Sequence, residues 1–222
     1  MFKKHNRNYS YDIFVDVSGG PCDTTYFGLV AINSDFAFNF EKEFEKLFPR
    51  ILRSKVKGKD LSPKKLLKII DFFDKQKIFF TSYLIKSEEY MDVKKMFPGA
   101  SYVEEKVFGV GYYRILEQVT KKDSSIRYKA TFCVDNQLDT NKARRIAGRL
   151  LESNKRKVSL TSAITRDCQQ LKFADFVAAA HRNVGVGFGR LKCSKHYKPC
   201  PPPLRESLLN RVFISRSSKK KK

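Results

Sequence analysis

The sequence predicts a single α/β domain, and three observations carry that reading. Strand-like and helix-like apolar periodicities alternate along most of the 222 residues. The first two strand-like runs are joined closely enough to form a hairpin. The length suits one well-cored domain with tails, at roughly 100 to 200 residues per domain.

Residues Tyr11 to Asp16 form a strand rich in β-branched and aromatic side chains, stopped by Ser18-Gly19-Gly20-Pro21. Thr25 to Ile32 gives its hairpin partner, so Asp16 closes the first arm. From Glu41 to Lys55 the apolar residues Phe44, Leu47, Phe48 and Ile51 recur at helical spacing, and Pro49 must kink or end that segment. Ser62-Pro63 opens the next helix: serine caps free N–H groups and proline suits the first helical position, after which Leu66, Leu67, Ile70 and Phe73 share a face.

Lys77 to Ile85 is a strand, Pro98-Gly99 a break, and Val103 to Val119 a helix despite Gly109 and Gly111. Arg127 to Val134 alternates Tyr128, Ala130, Phe132 and Val134 on one face and ends in Asp135-Asn136. Asp139 or Thr140 caps a helix running to Ser153, and Lys157 to Ile164 is the next strand. A last helix from about Cys168 to Asn183 carries the run Phe173 to Ala180.

The division that follows is a basic extension over 1–10, the domain over 11–183, and a Gly/Pro-containing basic tail over 184–222. Within the tail, Gly185-Val186-Gly187-Phe188-Gly189 follows a helix instead of opening one. It reads as a hinge, not a phosphate loop. The aromatics Phe72, Phe73, Phe79 and Phe80 fit the core better than a base-stacking surface, and Cys133 and Cys168 also read as core.

Lys and Arg outnumber Asp and Glu 45 to 23, a formal net charge of +22. Such a field attracts polyanions, and neutralising phosphates releases condensed counterions, so the expected partner is DNA, RNA or a ribonucleoprotein surface such as the ribosome. Five cysteines and no apolar N-terminal run point to a reducing, cytoplasmic setting, with no membrane span expected. The expected phosphate contacts are Lys142, Arg144, Arg145 and Arg149 on the helix before Ser153, Lys155 and Arg156 just after it, and Arg190, Lys192, Lys195 and Lys198 in the tail.

Three acids stand where strand ends and a helix can bring them together: Asp16, Asp135 and Asp175. Asp175 lies in an almost wholly apolar run, Phe173-Ala174-Asp175-Phe176-Val177, where a carboxylate is costly to bury without a cation or donor. The segment Cys193 to Cys200 sets Cys193, His196 and Cys200 at short intervals, with His181 upstream. That is a candidate zinc set weighed against a tail in which these residues hold nothing.

Asp16-Val17-Ser18-Gly19 resembles the Asp-Glu-Ser-Gly strand end of the domain of unknown function 3800 family, a ribonuclease-H-like group. Cys133-Val134-Asp135 resembles its later strand ending in Asp, and Leu171-Lys172-Phe173-Ala174-Asp175 its Leu-Gln-Leu-Ala-Asp helix. The similarity spans roughly Tyr11 to Asn183. It implies a ribonuclease-H-like mixed sheet flanked by helices. It also implies a carboxylate cluster holding two magnesium or manganese ions, with Asp16, Asp135 and Asp175 as catalytic ligands and Asp167 as a fourth.

Two positions depart from the pattern: the family's Glu is Val17 and its Gln is Lys172. Lys172 and Asp175 are three apart and share a helix face, so the ammonium can stand in for metal charge, or else Lys172 is a solvent-facing lysine. Two functions follow. One is a divalent-metal-dependent nuclease; the other is a catalytically inactive RNA-binding or ribosome-associated protein on the same fold.

Overall fold

The computed structural model describes residues 11–20, 23–120, 126–134, 139–191 and 206–213, with backbone alone at 184–191 and 206–207. Asp135, Lys192, Lys195, Lys198 and the candidate zinc ligands Cys193, His196 and Cys200 lie outside the described residues, as does the side chain of Arg190.

The elements run β1 (Tyr11–Ser18), β2 (Thr25–Asn33), α1 (Ala37–Leu47), α2 (Pro63–Lys75), β3 (Phe79–Ile85), α3 (Ser87–Met96), α4 (Val103–Val119), β4 (Tyr128–Cys133), α5 (Thr140–Ser153), β5 (Val158–Ala163), α6 (Leu171–Leu191) and α7 (Glu206–Phe213). The strands form one sheet in the order β3-β2-β1-β4-β5. Its first three strands are antiparallel in a meander, while β4 pairs parallel to β1 and β5 parallel to β4. This is the expected ribonuclease-H-like α/β sheet flanked by helices.

Strand alternation sorts the core into two clusters, one on each sheet face. Ile13, Val15, Phe27 and Leu29 face α4 and α5, against Val107, Tyr112, Ala143 and Ala147. Phe14, Val30, Ile32 and Phe80 face α1, α2 and α6, against Phe40, Phe44, Phe73 and Phe173. In α4, Gly109 is a packing residue: a Cβ there would lie 2.7 Å from the Ile146 side chain, so its absence lets α4 and α5 close on each other. Phe72, Phe73 and Phe80 are buried, as the periodicity predicts.

Several boundaries moved. The helix expected over 41–55 is instead α1, which starts at Ala37 and stops before Pro49, with Phe48 N–H closing on Phe44 O at 2.9 Å. Proline ends the segment, and Arg50 follows with a left-handed φ of 68°. The helix α3 is new; its weak amphipathicity buries only Tyr90 and Val93. The last helix continues beyond Asn183 to Leu191, so the glycines at 185, 187 and 189 extend it and form no hinge. Each costs about 1 kcal/mol against alanine, which the long buried N-terminal half of α6 outweighs. Within the expected tail, α7 packs back onto the domain: Leu208 and Leu209 are buried, and Phe213 stacks on Phe97 at 4.4 Å. No helix among the described residues is long and apolar enough to cross a membrane.

Candidate active site

The site forms where β1 passes beneath α6. Asp16 shares the sheet face of Phe14, the α6 side, and its Oδ1 accepts the Val17 N–H at 2.7 Å. Across the β1–β2 ladder, Asp16 pairs with Gly28. A Cβ on Gly28 would drive into the α6 backbone at Ala174 O and come within 2.6 Å of Ala178 N. The missing side chain therefore lets the helix lie directly on the sheet, which brings Asp175 to Asp16. Asp175 Oδ2 accepts the Gly58 N–H at 2.6 Å, tying the helix to the segment between α1 and α2.

Burial pushes the Asp16 carboxyl up to about 8; the neighbouring Asp175 charge adds to the rise, while the Val17 N–H, Cys133 and Lys57 oppose it. Asp175 is also raised, chiefly by burial, against the Gly58 N–H and the charges of Lys57 and Lys172. The two acids thus act on one another across a partly dry gap and have excess affinity for a proton or a cation. Cys133 ends β4 beside them and is partly buried, packing against the edge of the apolar core as the sequence reading expects. Burial and the Asp16 charge push its thiol up to about 12, so it is a neutral donor and not a nucleophile.

These groups line a cleft of about 1000 Å³. Its walls carry Arg53, Lys55, Lys57, Lys59, Arg166 and Arg182, and Arg182 reaches Ser18 Oγ at 3.4 Å. Hard carboxylate oxygens surrounded by cations suit a divalent ion and the phosphates that accompany it. Among the described residues, no group of three or more His, Cys, Asp or Glu is placed to hold a metal.

Of the acids read from the sequence, Asp16 and Asp175 meet. Asp167 does not join them: it is exposed, lies outside the cleft lining, and pairs with Arg166 at 3.4 Å. Lys172 is not solvent-facing. It is 6% exposed, and its ammonium donates to the carbonyls of Ile51, at 2.9 Å, and of Ser54, while its charge still favours ionised Asp175. His181 packs edge-on against Tyr26, with ring centroids 5.3 Å apart.

The basic helix of the sequence reading lies on the far sheet face, because α5 packs with α4 and not with α6. Lys142 is engaged by Glu105 and Asp139 and sits 3.3 Å from the Tyr102 ring centroid. Arg144 donates to Leu160 O, and Arg156 is committed to Glu117 and Thr120. Arg145, Arg149 and Lys155 remain exposed. The cations that do flank the carboxylates come from 53–59, whose signal was the alternation Arg53-Ser54-Lys55-Val56-Lys57-Gly58-Lys59.

No family model matches the chain, and no curated protein matches it. Among solved structures, it is similar to the ribonuclease H2 of Pyrococcus horikoshii OT3 at 16% identity, covering 85% of this chain and 81% of that one, with a TM-score of 0.47. It is also similar to the Archaeoglobus fulgidus RNase HII solved in complex with PCNA, at 16% identity over 92% and 90% of the two chains, with a TM-score of 0.48. These likenesses are too distant to carry the fold class, which rests on the strand order and directions of the sheet itself.

Proposed function

We propose that the protein binds nucleic acid in this cleft and hydrolyses phosphodiester bonds with divalent metal held by Asp16 and Asp175, joined by Asp135 as the resemblance to the domain of unknown function 3800 family implies. The observation that carries the reading is the pairing of two carboxylates, both raised chiefly by burial, in a cleft lined by lysines and arginines. Burial together with a specific charge partner, in a cleft, makes such acids candidates for a functional site.

The chain's own groups divide the work. Lys55, Lys59 and Arg182 draw in and orient the phosphate backbone, while Arg53 is held by the Glu45 carboxylate. The Val17 N–H orients Asp16 and the Gly58 N–H orients Asp175, while Lys57 acts on both acids and is placed to meet charge growing on a phosphate. Magnesium or manganese bound to the acids would supply Lewis-acid charge and an activated water.

The second reading, binding without cleavage, is favoured by one observation: only two carboxylates meet among the described residues, with Val17 where the resembled pattern has Glu. Labelled single- and double-stranded DNA and RNA, incubated with manganese or a chelator beside an Asp16→Asn variant, separate the two. Cleavage that needs metal and disappears in the variant supports the enzyme. Chelator-insensitive binding with intact strands in every lane overturns it in favour of the binding protein.

A further inference from the structure

The segment between α1 and α2 has a two-sided construction. Arg53, Lys55, Lys57 and Lys59 are exposed and line the cleft, whereas Ser54 and Val56 are partly buried and Gly58 is fully buried. Every inward position is fastened. The Ser54 carbonyl accepts from Lys172, Val56 packs against the apolar cluster under α6, and the Gly58 N–H donates to Asp175. A Cβ at Gly58 would come within 2.6 Å of Ala179 Cβ and 2.8 Å of Asp175 O, so the backbone rests on the helix itself.

Both polar fasteners sit three residues apart on one face of α6, a cation reaching carbonyls and an anion reaching an amide. A buried ammonium would be costly without acceptors, and Ile51 and Ser54 supply them. The Ile51 carbonyl also accepts the Ser54 hydroxyl at 2.9 Å, so the turn closes around the same oxygen that Lys172 grips.

We infer that Lys172 is a positioning residue that fastens the 51–58 backbone to α6, and so holds Lys55, Lys57 and Lys59 as a preformed phosphate-binding rim over the Asp16–Asp175 pair; Arg53, beside them, is already held by the Glu45 carboxylate at 3.0 and 3.1 Å. The inference rests on the nucleic-acid-binding reading above and assigns that site its phosphate-contacting residues. Three flexible cationic side chains on a free segment would lose ordering entropy on binding; a segment already seated presents them in place.

The test is the salt dependence of binding to labelled single- and double-stranded oligonucleotides of DNA and RNA, in chelator so that strands stay whole. Wild type is compared with Lys172→Met, with Lys55→Ala/Lys57→Ala, and with the triple variant. Each phosphate contact contributes about 0.7 to 0.9 to the slope of log affinity against log salt. Removing Lys55 and Lys57 is expected to lower that slope by about 1.4 to 1.8. Lys172→Met, which releases Lys59 as well, should lower it by at least as much, and the triple variant should add nothing to Lys172→Met.

If wild type binds but Lys172→Met keeps the full slope, or the triple variant shows a second full decrement, the anchor is overturned while the binding reading stands. If wild type binds no nucleic acid, the binding reading falls and the rim with it. Amine acetylation of the native wild-type protein, read by mass spectrometry, covers the case of an unfolded variant. Lys172 should stay unmodified, and nucleic acid should protect Lys55, Lys57 and Lys59 but not Lys155. Ready labelling of Lys172, or no protection of the three, overturns the inference.

Discussion

Asp16 and Gly28 face each other across the β1–β2 ladder, and the empty space above Gly28 is filled by the backbone of α6 at Ala174 and Ala178. The acid pair therefore exists because a residue that takes no part in chemistry has no side chain.

Gly28→Ala should lift α6 from the sheet. Overpacking of this kind costs about 1–3 kcal/mol, readable as a lower midpoint in urea. The same change should separate Asp175 from Asp16 and abolish metal-dependent cleavage. A variant of undiminished stability with full activity would show that α6 does not rest on this glycine.

The metal-free protein should lose stability as pH rises. Asp16 has its ordinary value of 3.8 raised to about 8 in the folded chain, so between those values the native state holds a proton that the unfolded state has released. Unfolding free energy then falls with increasing pH across that window, and the favourable contribution is complete only below about 4. Asp16→Asn removes its share of the titration and should make this part of the profile shallower in chelator, the share of the raised Asp175 remaining. A wild-type profile that rises from pH 5 to 8 relative to Asp16→Asn would contradict the assignment.

Arg156 should matter for stability and not for nucleic-acid affinity. Its side chain is 13% exposed, beside Arg114 at 7%, and the Glu117 carboxylate serves both guanidiniums while accepting the Tyr113 hydroxyl at 2.8 Å. Removing one partner of a buried ion pair costs about 3–5 kcal/mol, and Glu117→Gln should approach the low end because its carboxylate is partly solvated. Thermal melting checks this. An Arg156→Ala protein that melts normally but binds nucleic acid weakly would reverse the assignment.

The exposed cations of the far face should be dispensable for cleavage. Replacing Arg145, Arg149 and Lys155 together by alanine is expected to change the cleavage rate less than twofold, whereas Lys57→Ala should lower it by tenfold or more, the scale of about 1.4 kcal/mol in barrier. Equal effects from the two variants would mean that the substrate wraps both faces of the sheet.

Most elements were legible because their periodicities agree with their packing. The β1–β2 hairpin, the Ser62 cap that accepts from Lys65 N–H, and α4 from Val103 to Val119 all appear where the sequence places them. The α6 extension was hidden by local glycine propensity, which a long buried helix overrides. Half of the site was legible too: Asp175 stood out as an acid in an apolar run, and Asp16 as a strand terminus. The basic rim was not, because 53–59 has neither helical nor strand periodicity in its apolar residues, and its alternation of cations gains meaning only against α6. The basic face of α5 drew attention instead because it is continuous in sequence, although β4 and β5 carry it to the opposite side.

The strand phase that sorts the two cores also decides where Asp16 points. Shifting β1 by one residue would exchange the faces of Ile13 and Phe14 and turn the carboxylate toward Tyr112 and Phe132. Substitutions at the acids can therefore silence chemistry and leave the architecture intact, whereas a single insertion or deletion within β1 removes both at once.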